Sequence, residues 1–136
     1  MTIKSIYPDI CASDLTASRD FYTALVGLKV AWESDWYIVL NAPDADPGGM
    51  QLALVAAGHD SVPVDYQQPP AGVLISFEVD NATELYEHAI SNGLAVAQEL
   101  RDEEFGQRHF MAVDPDGLLV DVVELLFIPD QTPEQQ

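Results

Sequence analysis

The chain holds a single cysteine, only five lysines and arginines, and no apolar run near the ~20 residues that a membrane-spanning helix needs. Each scarcity excludes something. Cys11 alone cannot build a disulfide framework or a multi-cysteine zinc site. With 5 basic residues against 23 acidic ones, the formal net charge is −18. Nucleic-acid affinity rests on Lys and Arg displacing counterions, so neither nucleic acid nor a membrane is expected as a partner. The opening MTIKSIYPDI lacks the basic-then-apolar pattern of an export signal, and a cytoplasmic location is the expectation. There is no glycine-rich phosphate loop and no Ser–His–Asp pattern. What is present suffices for one domain, because 136 residues of which 48% are hydrophobic can bury a core. So acidic a surface suits a cationic small ligand, or acts only to keep the chain in solution.

Residues 6–12 (IYPDICA) predict a strand that Pro8 places at an edge or at its beginning. Ser13 supplies a helix N-cap; Leu15, Ser18, Phe21, Tyr22, Leu25 and Val26 recur at helical spacing, and Gly27 ends the helix. Strands follow at 28–34, 36–42 and 50–56, the last two separated by the turn residues PDADPGG (43–49). Residues 58–71 are proline-rich, carry little periodicity and read as a linker. The pattern then restarts with a strand at 73–79 and an Asn81/Glu84 capping pair. Leu85, Tyr86, Ala89 and Ile90 form the apolar face of a second helix that ends at Gly93. Three strands close the chain, LAVAQEL, RHFMAV and LLVDVVEL, the last two joined by the turn Asp114-Pro115-Asp116-Gly117. One constant shift superposes Asp14 on Asp80, Gly27 on Gly93, Leu28 on Leu94 and Val30 on Val96, so the strand–helix–three-strand unit occurs twice. The expected fold is α+β: one domain over 1–128, made of modules 3–57 and 72–128 around the linker 58–71, with a flexible tail at 129–136.

This doubled βαβββ order resembles the vicinal oxygen chelate superfamily, which includes glyoxalase I, extradiol dioxygenases, and fosfomycin- and bleomycin-resistance proteins. The resemblance rests on SDLTASRDFYTALVGLKV, on EVDNATELYEHAISNGL and on FGQRHFMAVDPDGLLVDVVEL, and it spans residues 3–126. It implies two modules whose mixed sheets curve into a cup, a ligand or metal in the concavity, and chains paired as homodimers. Enzymes of the superfamily hold a divalent metal with four His or Glu side chains, two per module. At the corresponding positions this chain has Tyr7, Gln51, Leu74 and Asp121. A divalent ion needs several anionic oxygens or imidazoles at about 2 Å. Leu74 offers nothing, Gln51 a neutral carbonyl, and Tyr7 a phenol that ionises only near pH ~10. Asp121 is the one good ligand left. No metal and no cofactor is expected, and the departure points away from an enzyme of the metal-dependent kind.

Strand alternation draws the rest of the cup. Tyr7 shares a face with Asp9 and Cys11, while Ile6 and Ile10 turn toward the helix. Gln51 goes with Ala53 and Val55, Leu74 with Ser76 and Glu78, and His109 with Met111 and Val113; Tyr37 and Val39 look inward. The candidate ligand-binding residues are therefore Tyr7, Asp9, Tyr37, Gln51, Leu74, His109, Met111 and Asp121. Asp121 either accepts a hydrogen bond from Tyr7 or Gln51 in a buried polar network, or meets a ligand cation or amide. His109 either contacts the ligand or is a hydrogen-bonded histidine at a sheet edge. Trp32 and Trp36 in WESDW frame either an aromatic cage for a cation or a hairpin with one tryptophan packed on the sheet. His59 and His88 read as surface residues, and Arg101, Arg108 and the acidic run 102–104 as solvated ion pairs. The function these residues support is a metal-independent small-molecule-binding protein of the bleomycin-resistance type, sequestering an antibiotic or similar organic ligand of cationic or amide character. The alternative is a lyase, isomerase or dioxygenase-like enzyme that uses Asp121 and His109 as an acid–base pair, or relocated metal ligands.

Overall fold

In the computed structural model, which describes residues 1–44 and 50–127, the first strand, β1, runs only over Asp9–Ala12. The expected strand began at residue 6. Pro8 has no N–H to give a ladder; its carbonyl accepts from Ala53 N at 2.9 Å, and residue-by-residue pairing starts at Asp9. Ile6 therefore has no place in a helix-facing row: it is 91% exposed, while Ile10 is buried. The helix α1 (Leu15–Val26) is capped by Asp14 rather than Ser13. Asp14 Oδ1 accepts from Ala17 N at 3.0 Å, the geometry of a residue directly preceding the helix, and the Ser13 N–H is used elsewhere. Gly27 ends the helix at φ +73°, and its counterpart Gly93 has φ +69°, both in the left-handed region that favours glycine.

Strands β2 (Lys29–Glu33), β3 (Tyr37–Asn41) and β4 (Gln51–Ala56) complete a four-stranded sheet of order β1-β4-β3-β2, parallel only at β1–β4. Most of the turn expected at 43–49, and the tail at 129–136, lie outside the described residues. The segment read as a linker is an ordered loop with a short 3-10 turn at Val64–Tyr66. Gln67 pins it by donating to the carbonyls of His59 (3.1 Å) and Val62 (2.7 Å). The same order then recurs: β5 (Ile75–Glu78), α2 (Ala82–Ser91), β6 (Val96–Glu103), β7 (Gln107–Val113) and β8 (Leu119–Leu125), in a sheet of order β5-β8-β7-β6. Asn81 caps α2 by accepting from Glu84 N at 3.0 Å, as expected. Ile90 departs from the predicted apolar face and is 53% exposed, because the buried stripe is centred on Ala82 and Ala89. No helix among the described residues is long and apolar enough to cross a membrane.

The chain divides into two units, residues 1–73 together with 114–118, and 74–113 together with the chain from 119 on. In each, the helix buries one face of its sheet. Tyr22, Leu25, Ile38, Leu40 and Leu54 are at most 1% exposed in the first; Ala89, Phe110, Ala112, Val120 and Val122 are fully buried in the second. The Asp114–Gly117 turn belongs to the first unit. Asp114, 5% exposed, accepts from the backbone N–H groups of Asp116 and Leu118 with Oδ1 (both 2.9 Å), and from the Tyr22 hydroxyl with Oδ2 (2.9 Å). Asp116 takes the Ser13 N–H at 3.0 Å. Burial, with the charges of Asp114 and Asp116, pushes the Tyr22 phenol far above its ordinary range, so it stays a donor. Hydrogen bonds to charged groups contribute about 1.5–3 kcal/mol. Tyr22→Phe should therefore lower the unfolding free energy in urea by about that amount; an unchanged midpoint would show that the hydroxyl anchors nothing.

Candidate functional site

The two ladders decide which side chains share the helix-free face of each sheet, since directly paired residues point the same way. In the second unit β7 and β8 pair His109 with Val123 and Met111 with Asp121, and β5 sets Ser76 beside Asp121. The opposite face carries Phe110 and Val122 toward α2, where the Tyr86 ring meets Phe110 edge-on at 5.2 Å. The expected alternation is thus present on both strands, and it brings His109 and Asp121 together.

His109 is 4% exposed, and both ring nitrogens face a carboxylate: Nδ1 lies 2.8 Å from Asp121 Oδ1, and Nε2 lies 2.9 Å from Glu103 Oε2. The Gln98 amide nitrogen stands 3.3 Å from the same Nε2. A neutral imidazole has one N–H, so one of its lone pairs would face an anionic oxygen; the imidazolium donates to both. Burial alone would lower the His109 pKa, but the hydrogen bonds and charges of Glu103 and Asp121 outweigh it and raise the pKa above the ordinary 6.5. Glu103 is correspondingly held below 4.5, chiefly by its bond to His109 and then by Arg101.

This corrects two expectations. Within its own unit Asp121 bonds His109 on the adjacent strand, a partner that neither alternative for Asp121 had named. And Glu103 is not simply one of the solvated ion pairs. Asp102 does pair with Arg108 (2.7 Å) and Arg101 with Glu103 (3.1 Å), but Glu103 also reaches the buried imidazole. The signal lay in the hairpin register: with the turn at 104–106, Glu103 pairs with Gln107 and Arg101 with His109, so all four side chains share one face.

In the first unit the helix-free face carries Asp9, Cys11, Tyr37, Val39, Gln51, Ala53 and Val55, in rows set by the pairs Asp9–Ala53–Val39 and Cys11–Val55–Tyr37. The Tyr37 hydroxyl donates to Asp9 Oδ2 at 3.3 Å across β4, where Ala53 is small enough to let the phenol lie over the strand. Burial, then the Asp9 charge and the nearby Tyr7 hydroxyl, pushes the Tyr37 pKa up to about 12. Tyr7 itself precedes β1 and is 43% exposed; Gln51 opens β4 opposite Asn41. Leu74 precedes β5 and is 48% exposed. Cys11 is buried, its thiol 3.7 Å from the Tyr66 carbonyl, and burial followed by the Asp9 charge pushes its pKa up, which leaves it unreactive. His59 is half-buried rather than a free surface residue, because the pinned loop stacks its ring on Trp36 at 3.9 Å and an interplanar angle of 5°. His88 is exposed, and its ring is bonded to Asn92 at the C-terminal cap of α2.

The four positions at which the resemblance implies a metal hold Tyr7, Gln51, Leu74 and Asp121, a donor set with one carboxylate, and that carboxylate faces an imidazole. Asp121 and Glu103 sit on opposite sides of the His109 ring, so their oxygens diverge. Among the described residues no three His, Cys, Asp or Glu side chains are grouped to hold a metal ion. The residues do not fit the family's metal.

The sequence profile of the Glyoxalase/Bleomycin resistance protein/Dioxygenase superfamily matches residues 4–122, and the chain belongs to that superfamily. Solved structures share the fold. A superfamily member from Sphaerobacter thermophilus is 23% identical, with a TM-score of 0.72 over 90% of this chain and 98% of that one. A family enzyme from Burkholderia phytofirmans is 18% identical, with a TM-score of 0.70 over 88% and 97%. The hypothetical protein SA1046 from S. aureus is 24% identical, with a TM-score of 0.69 over 91% and 95%. No curated protein matches the chain.

The His109 cluster has a defined pH signature. Because the folded pKa is raised, its stabilisation is complete below pH 6.5 and is lost as the pH rises through the folded value. Glu103, depressed from 4.5, contributes above that pH and loses its share as the pH falls through its own folded pKa. NMR titration of the imidazole should place His109 above 6.5, and Asp121→Asn should bring it down while lowering stability at pH 6 by about 1.5–3 kcal/mol. A midpoint at or below 6.5 in the wild type would contradict this assignment.

Proposed function

We propose that the chain is a metal-independent small-molecule-binding protein of the glyoxalase/bleomycin-resistance type, which sequesters an organic ligand rather than transforming it. The observation that carries this reading is the fate of the four metal positions. Tyr7, Gln51 and Leu74 supply no ligand worth a divalent ion's dehydration, and Asp121 lies 2.8 Å from a buried histidine. The side chains left to meet a ligand combine polar and apolar groups: Asp9, Tyr37 and Gln51 on the helix-free face of the first sheet with Tyr7 just before it, and Met111 on that of the second with Leu74 just before it. Such a mixture of apolar surface and a few polar groups is how small-molecule sites are usually built.

The enzyme reading draws less support from the geometry. A general acid–base histidine needs a nitrogen within reach of substrate, whereas both nitrogens of His109 already face carboxylates and the ring is 4% exposed. A homodimer resident in the cytoplasm completes the proposal.

Two measurements test it. Elemental analysis of protein dialysed without chelator should find Zn, Ni, Fe and Mn well below one equivalent. Thermal-shift screening against cationic aromatic antibiotics and glycopeptides should find stabilising ligands, since a ligand at a hundred times its Kd adds about 2.7 kcal/mol to a fold that alone binds it. Stoichiometric metal, or no shift across a broad panel, would defeat the reading.

A further inference from the structure

We propose that the helix-free face of the first sheet binds a flat organic cation, an aromatic ring bearing a protonated or quaternary nitrogen, through Trp32, Tyr37 and Asp9. This rests on the small-molecule reading above and adds the ligand's class and its place.

The argument starts from one extra residue. β2 pairs Val30 with Leu40 and then Trp32 with Val39, so Ala31 is a bulge. In an unbroken ladder Ala31 would oppose Val39, and Trp32 would oppose Ile38 on the face that α1 covers. The bulge moves Trp32 by one step of the pleat onto the helix-free face. There it joins the row Asp9–Ala53–Val39–Trp32 that runs across all four strands. Glu33, the next residue, keeps the opposite direction: it pairs with Ile38 and bonds Arg19 of α1 at 2.8 Å, which fixes the end of β2 and with it the heading of Trp32.

The result is an indole 53% exposed, with its ring centre 6.3 Å from that of Tyr37. Trp36 backs Tyr37 at 5.4 Å and is itself stacked on His59, so the aromatic wall is braced from behind. Leaving a tryptophan half in water forgoes hydrophobic stabilisation that the helix-covered face offers in an unbulged strand. At the far end of the same row, on the opposite edge strand β1, stands Asp9, an exposed residue whose carboxylate accepts from the Tyr37 hydroxyl at 3.3 Å, so that Tyr37 spans the distance between it and Trp32. Partial burial raises the Asp9 pKa and outweighs the opposite effect of its bond to Tyr37. Aromatic faces attract cations through their quadrupole, most strongly indole, and a carboxylate beside them selects the same charge. The overall charge of −18 draws cations toward the protein before contact. The Trp32 and Tyr37 rings are inclined at 55°, so they form a corner that takes the cation, and the flat ring that carries it stacks on the more exposed indole.

Benzyltrimethylammonium is the probe, followed by tryptophan fluorescence and calorimetry at fixed ionic strength, with benzyl alcohol as the neutral comparison. Trp32→Leu and Asp9→Asn should each weaken binding by at least about fivefold, and Trp32→Phe should keep most of it. Glu87→Gln, on the exposed side of α2, removes the same charge as Asp9→Asn and should leave the Kd within about twofold. Equal losses in Asp9→Asn and Glu87→Gln would reduce the effect to diffuse attraction and overturn the site. Undiminished binding in Trp32→Leu would overturn it while the small-molecule reading stands. If the wild type ignores the probe but a neutral ligand from the broad panel stabilises it, the cation class is wrong and the binding reading survives. Silence from both probe and panel ends both.

Discussion

Each unit has one helix with which to cover a four-stranded sheet, so the side chains on the other face must be satisfied without it. That constraint organises the molecule. On the helix-covered faces the solution is ordinary close packing of Leu, Ile, Val and Phe, with the buried Asp114 carboxylate bonded by Tyr22. On the helix-free faces buried apolar residues such as Ala53, Val55 and Val123 are joined by polar pairs. An imidazole held between two carboxylates closes one sheet; a phenol laid over an alanine to reach an aspartate closes part of the other. A buried charge is tolerable only when paired, and His109 and Asp121 meet that condition inside a single hairpin-and-strand unit.

The fold was largely legible because strand alternation and helical spacing are properties of the chain itself. The faces of LLVDVVEL and RHFMAV follow from a period of two, and the glycines at 27 and 93 mark the same stop twice. What was not legible depended on a one-residue decision made by a neighbour. Asp14 rather than Ser13 caps α1 because the helix begins at Leu15, while Ser13 is held one residue outside it by the bond of its N–H to Asp116, a residue far along the chain. Ile6 lies outside the first strand because Pro8 cannot donate. The candidate site divided in the same way. Its members were named from face alone, whereas their partners required cross-strand register, and so the bonds of His109 to Glu103 and to Asp121 were missed.

Membership in the superfamily and departure from its metal chemistry are compatible for a physical reason. The helix-covered faces form the main apolar packing of each unit, and nothing in those faces requires the residues at positions 7, 51, 74 or 121 to be metal ligands. Exchanging a ligand for Leu74 or Gln51 leaves the core untouched, so the scaffold persists while the chemistry it can host changes.

The bulge at Ala31 carries a consequence for how relatives of this protein are compared. Whether a chain presents an indole on that face depends on the count of residues between two ladder pairs rather than on the kind of residue at any one of them. Two relatives can carry the same tryptophan in the same strand and differ only by a gap of one, with the ring outside in one and against the helix in the other. An alignment scored by residue identity alone treats that gap as a minor event in an edge strand, where insertions are common. For this face it is the difference that decides which relatives share the arrangement.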